Sequence, residues 1–277
     1  MLDIHSVIRG TPHVPALLLV GSEESGLDRT SQAYRAIRRQ IIDLTLSPGS
    51  SFTETSLAQQ WRISKTPVRE ALARLRRDGL VNALPRAGYV VSPITLQDTD
   101  DLCALRTLLC GEAAAAAARR GVEAPALKRL EVLSKVPFAL AAGEVGLEES
   151  LQAGIEFEAI IANYSGNNRL AKAIVDLLDE LERVLRMATL ISPDIASPPG
   201  ELEAIFERLR DRDDDGTQAA SHKRCERVRQ DVLQVLSKSA SVSRANIARA
   251  PRPGDTDRHS ADIQSVFVLP AHRGNRL

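Results

Sequence analysis

From Ser31 onward apolar residues recur at helical spacing, with Tyr34, Ile37, Ile41, Ile42 and Leu44 on one face, and the pattern stops at the turn signal Pro48-Gly49. This predicts a first helix. Thr53 or Thr55 can cap a second helix of about two turns over Glu54 to Trp61, with Leu57, Ala58 and Trp61 as its apolar stripe. After the break Arg62-Ile63-Ser64-Lys65, the run Thr66-Pro67-Val68-Arg69-Glu70 pairs a cap residue with proline at the first helical position, which predicts a third helix starting at Pro67. Val68, Ala71, Leu72 and Leu75 share one face of it, while Arg69, Arg74, Arg76 and Arg77 lie largely on others, and Asp78-Gly79 ends it. Two short β-type runs, Leu80-Val81 and Tyr89-Val90-Val91, flank Asn82 to Gly88, giving a hairpin tipped by Pro85, Arg86 and Gly88. Three helices and a basic hairpin make a winged helix-turn-helix over residues 31–92.

Residues 96–236 carry helical periodicity broken at Gly121 to Pro125, Pro137 to Gly146, Gly166 to Asn168, Ser192 to Gly200 and Asp211 to Gly216. Roughly six helices fit, including a long one over Asp98 to Arg120 whose alanine run suits close packing. Residues 1–30 show no sustained period and read as a flexible lead-in. Residues 237–277 turn to Ser, Arg, Pro and Asp and read as a disordered basic tail. The fold class is mostly α, a winged head followed by an all-helical bundle. With 43% hydrophobic but 3% aromatic residues in a chain of 277, the composition supports that class over a β-sandwich.

Charge sharpens the picture. The formal net charge is zero, yet residues 31–92 hold ten Arg and Lys against four Asp and Glu, residues 93–236 hold seventeen against twenty-five, and residues 237–277 hold seven against three. A basic module precedes an acidic one. The three cysteines, Cys103, Cys110 and Cys225, have no CxxC spacing, and a reducing compartment fits them. The apolar run Ala16 to Val20 is too short to span a bilayer, so no membrane association and a cytoplasmic location are expected. No HExxH, GxSxG or phosphate-binding glycine loop after a strand is present, which argues against an enzyme, and no cofactor is expected.

The helix N-terminus at Ser64, Lys65, Thr66 and Pro67 offers free N–H groups and hydroxyls to a phosphate, and Arg69 can make a bidentate contact to guanine in the major groove. Lys65 is the second candidate for base reading, Arg74 adds charge, and Arg86 with Gly88 fits a wing approaching the backbone or minor groove. The partner expected is double-stranded operator DNA.

Leu57-Ala58, the run Ile63 to Leu72, Leu75 and Gly79-Leu80-Val81 together resemble the GntR family of regulators, and the likeness includes Pro48-Gly49 and the wing residues Arg86-Ala87-Gly88. Ala87 stands where that family usually has a second basic residue. The following region resembles the FCD type of effector domain, the FadR/FCD subfamily, through Asp98, Asp101-Leu102, Leu105-Arg106 and Leu109, then Phe157 with Ser165-Gly166-Asn167, and Glu226-Arg227-Val228. Cys110 replaces the acidic residue usual four places after the arginine.

A homodimer is expected, acting as a repressor although the sequence does not itself separate repression from activation, and the resemblance adds that many FCD domains hold a divalent metal with one Asp and three His that binds a small organic acid. The matching positions here are Gly154, Glu158, Leu202 and Arg224, so no metal is expected. Arg224 can instead receive an effector carboxylate directly, with Arg106, Glu158 and Arg186 as further candidates. The alternative is a filled, metal-free pocket in a constitutive repressor that needs no effector.

Overall fold

The computed structural model describes residues 28–136, 143–192 and 200–239; the lead-in over residues 1–27, the tail from residue 240, and the breaks at 137–142 and 193–199 lie outside them. Helix α1 (Arg29–Ile42) starts at Asp28, whose carboxylate accepts from the Ser31 N–H, and buries Ala33, Ile37 and Ile41, one turn apart. Strand β1 (Ser51–Phe52) leads into α2 (Glu54–Trp61), which is closed at its start by a reciprocal capping box between Thr53 and Ser56.

Helix α3 (Lys65–Arg77) begins two residues before the position that Pro67 suggested. Ser64 is its N-cap and Pro67 its third residue, which costs nothing because no N–H in the first turn has an intrahelical acceptor. Strands β2 (Val81–Leu84) and β3 (Gly88–Val91) form the hairpin, and β1 adds a third antiparallel strand in the order β1-β3-β2. At two residues, β1 is too short to leave an alternating pattern in the sequence. Buried Ile37, Ile41, Leu57, Val68, Leu72, Leu75 and Val91 form the core of this head.

Six helices follow among the described residues: α4 (Leu96–Arg120), α5 (Ala124–Ser134), α6 (Gly143–Tyr164), α7 (Asn168–Ile191), α8 (Glu201–Arg210) and α9 (Asp214–Ser237). The predicted alanine run of α4 buries Ala113, Ala114, Ala115, Ala117 and Ala118. Gly111 of α4 lets α9 pack against it, since an added Cβ would stand 1.9 Å from His222 Nε2. Leu178 and Leu181 of α7 pack with Ile155 and Ala159 of α6 in one apolar cluster, while Phe157 joins α5, α6 and α8 in another.

Head and bundle meet along α1 and α7. Arg38 pairs with Asp179 at 2.7 Å, Arg39 lies 3.6 Å from Glu182, and the buried Arg183 guanidinium donates to the Ser92 carbonyl at the end of the wing. Burial pushes Arg183 down to about 10, against the opposing pull of Asp98 and Glu180.

The sheet sets one strict requirement. Gly88 has φ +103°, and a Cβ there would come within 2.4 Å of the Phe52 carbonyl oxygen. Gly88→Ala should therefore lower unfolding stability by more than about 2 kcal/mol, measured by urea denaturation, because both the backbone angle and the β1–β3 contact resist it.

Candidate DNA-reading face and ligand cleft

The turn between α2 and α3 presents Ser64, Lys65 and Thr66 to solvent at the start of α3, and Arg69 follows one turn later, also exposed. Ser64 makes no side-chain cap bond. Pro67 is buried rather than presented, because the third position of α3 turns toward the head core beside Val68. Arg69 is not loose: its Nε lies 3.1 and 3.2 Å from the two Glu54 carboxylate oxygens and its Nη2 lies 3.0 Å from Oε2. The Tyr89 hydroxyl of β3 donates to the same carboxylate at 3.2 Å, so Glu54 joins α2, α3 and the wing. Glu54 went unnoticed in the sequence, where it reads simply as an acidic residue in the first turn of a helix.

Arg74 lies with its guanidinium 3.8 Å from the Tyr34 ring centroid, and the Tyr34 hydroxyl donates to Asp78 at 2.8 Å. It therefore stands apart from the N-terminal end of α3, against α1. Arg86 occupies the hairpin tip, exposed and with φ +63°. Gly88 owes its place to the Phe52 carbonyl, a reason internal to the sheet.

In the bundle, α4, α6, α7 and α9 surround a cleft of about 570 Å³, its open mouth included. Three of the four candidate residues converge on it. Arg106 Nε donates to Glu158 Oε2 at 3.0 Å, while Arg106 Nη2 and Arg224 Nη1 both donate to Glu158 Oε1. Arg106 is 1% exposed, and its Nη1 is buried with no hydrogen-bond partner. Burial alone would raise the Glu158 pKa, but the charges and hydrogen bonds of Arg106 and Arg224 outweigh it and hold the carboxyl below its ordinary value. Gly154 makes room for this arrangement: a Cβ there would stand 3.1 Å from Arg224 Nη2.

Arg186, the fourth candidate, is not part of the cleft wall. It sits on the other side of α7, where its Nε donates to Glu182 at 2.8 Å, because residues 182 and 186 share a helix face turned toward α1. The other walls are mainly apolar, with Leu151, Ile155, Leu178, Leu181, Leu185 and Val232. Arg227, which sequence reasoning passed over, also lines the cleft but is paired with Glu201 and Asp231.

One carboxylate already spanned by two guanidiniums does not fit a divalent cation, whose positive charge the arginines would repel. Leu202 packs into the apolar cluster around Phe157, and His222 packs against Gly111. Among the described residues no group of three or more His, Cys, Asp or Glu could hold a metal ion.

Residues 29–91 match the family model described as bacterial regulatory proteins, gntR family, and residues 101–227 match the FCD domain. The chain is a GntR-family transcription regulator with an FCD domain. It is 36% identical over 111 residues to an HTH-type transcriptional regulator of Agrobacterium vitis, a match covering 40% of this chain and 64% of the relative, less than two thirds of its length. To the HTH-type transcriptional repressor RspR of Escherichia coli it is 22% identical over 213 residues, covering 76% of this chain and 91% of the relative. Among solved structures, E. coli McbR/YncC superposes with a TM-score of 0.63 at 22% identity, over 75% of this chain and 98% of that one, which shows a shared fold. The matched models and these relatives are those of transcriptional regulators rather than of enzymes. Among its described residues no helix is long and apolar enough to cross a membrane.

The buried cluster gives this regulator a defined acid response. A carboxyl with a depressed folded-state pKa contributes stability above its unfolded pKa and loses that contribution as pH falls through the folded value. Glu158→Gln should cost about 3 kcal/mol at neutral pH, since it leaves two buried guanidiniums facing each other. In urea denaturation across a pH series, the gap between wild type and variant should close on acidification below the ordinary carboxylate range.

Proposed function

We propose that this regulator is a repressor that binds a palindromic operator as a homodimer and is controlled by a small carboxylate entering the cleft between α4, α6, α7 and α9. The observation that carries the effector part is the Arg106–Glu158–Arg224 cluster. It places two positive charges against one negative charge, in a mainly apolar wall, with the buried Arg106 Nη1 still lacking an acceptor. A ligand carboxylate supplies that acceptor and the missing charge, and the apolar walls take the rest of a small organic acid. Repression is in keeping with the printed name of the relative RspR. Exposed Leu105 and Leu108 on α4, three residues apart, offer an apolar face for a second copy.

In the head, Ser64, Lys65 and Thr66 hold phosphates at the α3 N-terminus, Arg69 reads a base, and Arg86 follows the backbone from the wing. Glu54 keeps the Arg69 guanidinium aimed before DNA arrives, and guanine O6 and N7 then take the carboxylate's place. Signal passes through α7. Its Leu178, Leu181, Leu185 and Thr189 line the cleft, while its Asp179, Glu182 and Arg183 grip α1 and the end of the wing. A ligand that shifts α7 shifts the head, provided it binds the two arrangements with different affinity.

A second reading has its own support. Glu158 already satisfies both guanidiniums except at Arg106 Nη1, so the cluster can also stand as a permanent internal bridge in a repressor without an effector.

Operator sequences selected from a random DNA library should carry two inverted half-sites. Arg69→Ala should cost about 1 to 3 kcal/mol at one base position in each, whereas Arg86→Ala should weaken all sequences alike. Unchanged base preference in Arg69→Ala would remove α3 from the reading role.

The effector part is tested by thermal melting of chelator-treated protein with benzoate, succinate and citrate. At least one acid should raise Tm, by about 2.7 kcal/mol of stabilisation at a hundredfold excess over Kd, and Arg224→Ala should abolish the rise. No rise with any acid favours the effector-free repressor, and a rise that chelator removes would bring a metal back into the site.

A further inference from the structure

The cleft has a neighbour that the regulatory reading does not use. A second cavity of about 300 Å³, mouth included, is lined by Cys110 of α4 and Cys225 of α9 together with Glu158 and Arg224. All three cysteines are free thiols. Cys110 and Cys225 are 115 residues apart in sequence, yet both are buried in the same cluster and line this one small cavity, and Cys110 Sγ lies 3.6 Å from Glu158 Oε2. The two helices cross tightly at this level, since Gly111 and His222, whose side chain fills the space beside it, are next to Cys110 and one turn before Cys225. A disulfide needs two helix backbones close together, and a glycine at position 111 allows α4 and α9 to pack closely beside the two cysteines.

We infer that Cys110 and Cys225 form a peroxide-sensitive dithiol site, closing to an intramolecular disulfide between α4 and α9 when a small hydroperoxide enters the cavity they line. Chemistry at the two sulfurs is not equivalent. The neighbouring Cys110 thiol and the charges of Arg106 and Arg224 outweigh burial and hold the Cys225 thiol below its ordinary pKa, and Arg224 lines the same cavity, which favours Cys225 as the attacking thiolate. At Cys103 the Arg106 charge does not offset burial, which pushes the thiol up to about 11.

The Cys225 thiolate attacks one peroxide oxygen and the O–O bond breaks. The departing oxygen takes up a proton, giving water or an alcohol, and Cys225 is left as a sulfenic acid. Cys110 sulfur then attacks Cys225 sulfur, the S–O bond breaks, and hydroxide leaves with the Cys110 proton as water. Two thiols give up two electrons in all, and the hydroperoxide accepts both. Closure also removes the Cys110 S–H from Glu158, so it alters the hydrogen bonding of the carboxylate that Arg106 and Arg224 share.

The test uses full-length protein exposed to hydrogen peroxide, then denatured for thiol titration and digested without reductant for mass spectrometry. Titratable thiols should fall from three to one, with a Cys110–Cys225 linked peptide and recovery of all three on reduction. Cys103→Ser should still form the link, whereas Cys110→Ser and Cys225→Ala should not. Three thiols surviving in the wild type, a link through Cys103, or a link only between two chains would each overturn the proposal, and the wild-type peptide map decides it even if a variant fails to fold.

Discussion

The second domain is organised by the need to bury Arg106. A guanidinium cannot shed its charge, and taking it out of water costs several kcal/mol unless a carboxylate meets it. Glu158, fifty-two residues further along the chain, supplies that carboxylate and ties α4 to α6. Arg224 bonds the same group and draws in α9, and Gly154 leaves the space its guanidinium occupies. The relative positions of three helices thus follow from one shared carboxylate. What remains is an excess of positive charge and a buried Arg106 Nη1 without an acceptor, the features from which a carboxylate-binding role is proposed.

Helix α7 connects that chemistry to the head because its two faces have different tasks. Leucines at positions 178, 181 and 185 close the cleft, while the polar residues between them engage α1 and the carbonyl of Ser92. The Arg38–Asp179 pair and the contact of Arg39 with the buried Glu182 are largely shielded from water, so they join α7 to α1 more firmly than exposed surface pairs do. The buried Arg183 adds to this junction: its guanidinium donates to Ser92, yet its Nε is buried with no partner.

Local pattern carried much of the head. The limits of α2, the apolar faces of α1 and α3, and the Arg86 hairpin tip all follow from spacing, caps and turn residues, whose effects act within a few positions. The start of α3 was misjudged because proline is tolerated throughout a first turn, not only at its first residue. Strand β1 was missed because two residues hold no periodicity and are defined by their pairing with β3. Arg186 was grouped with Arg106 and Arg224 on charge alone, and the sequence has no means of showing which side of α7 faces the cleft.

By itself, then, the sequence determined the helical class and the winged head with its three helices and hairpin, since each depends on residue identity and short-range spacing. Tertiary structure alone decided that Glu54 pairs with Arg69, that Arg106 and Arg224 share Glu158, and that Cys110 and Cys225 line one cavity. Those contacts join residues 15 to 115 positions apart, and their existence depends on helix rotation and crossing, which packing of the whole core sets.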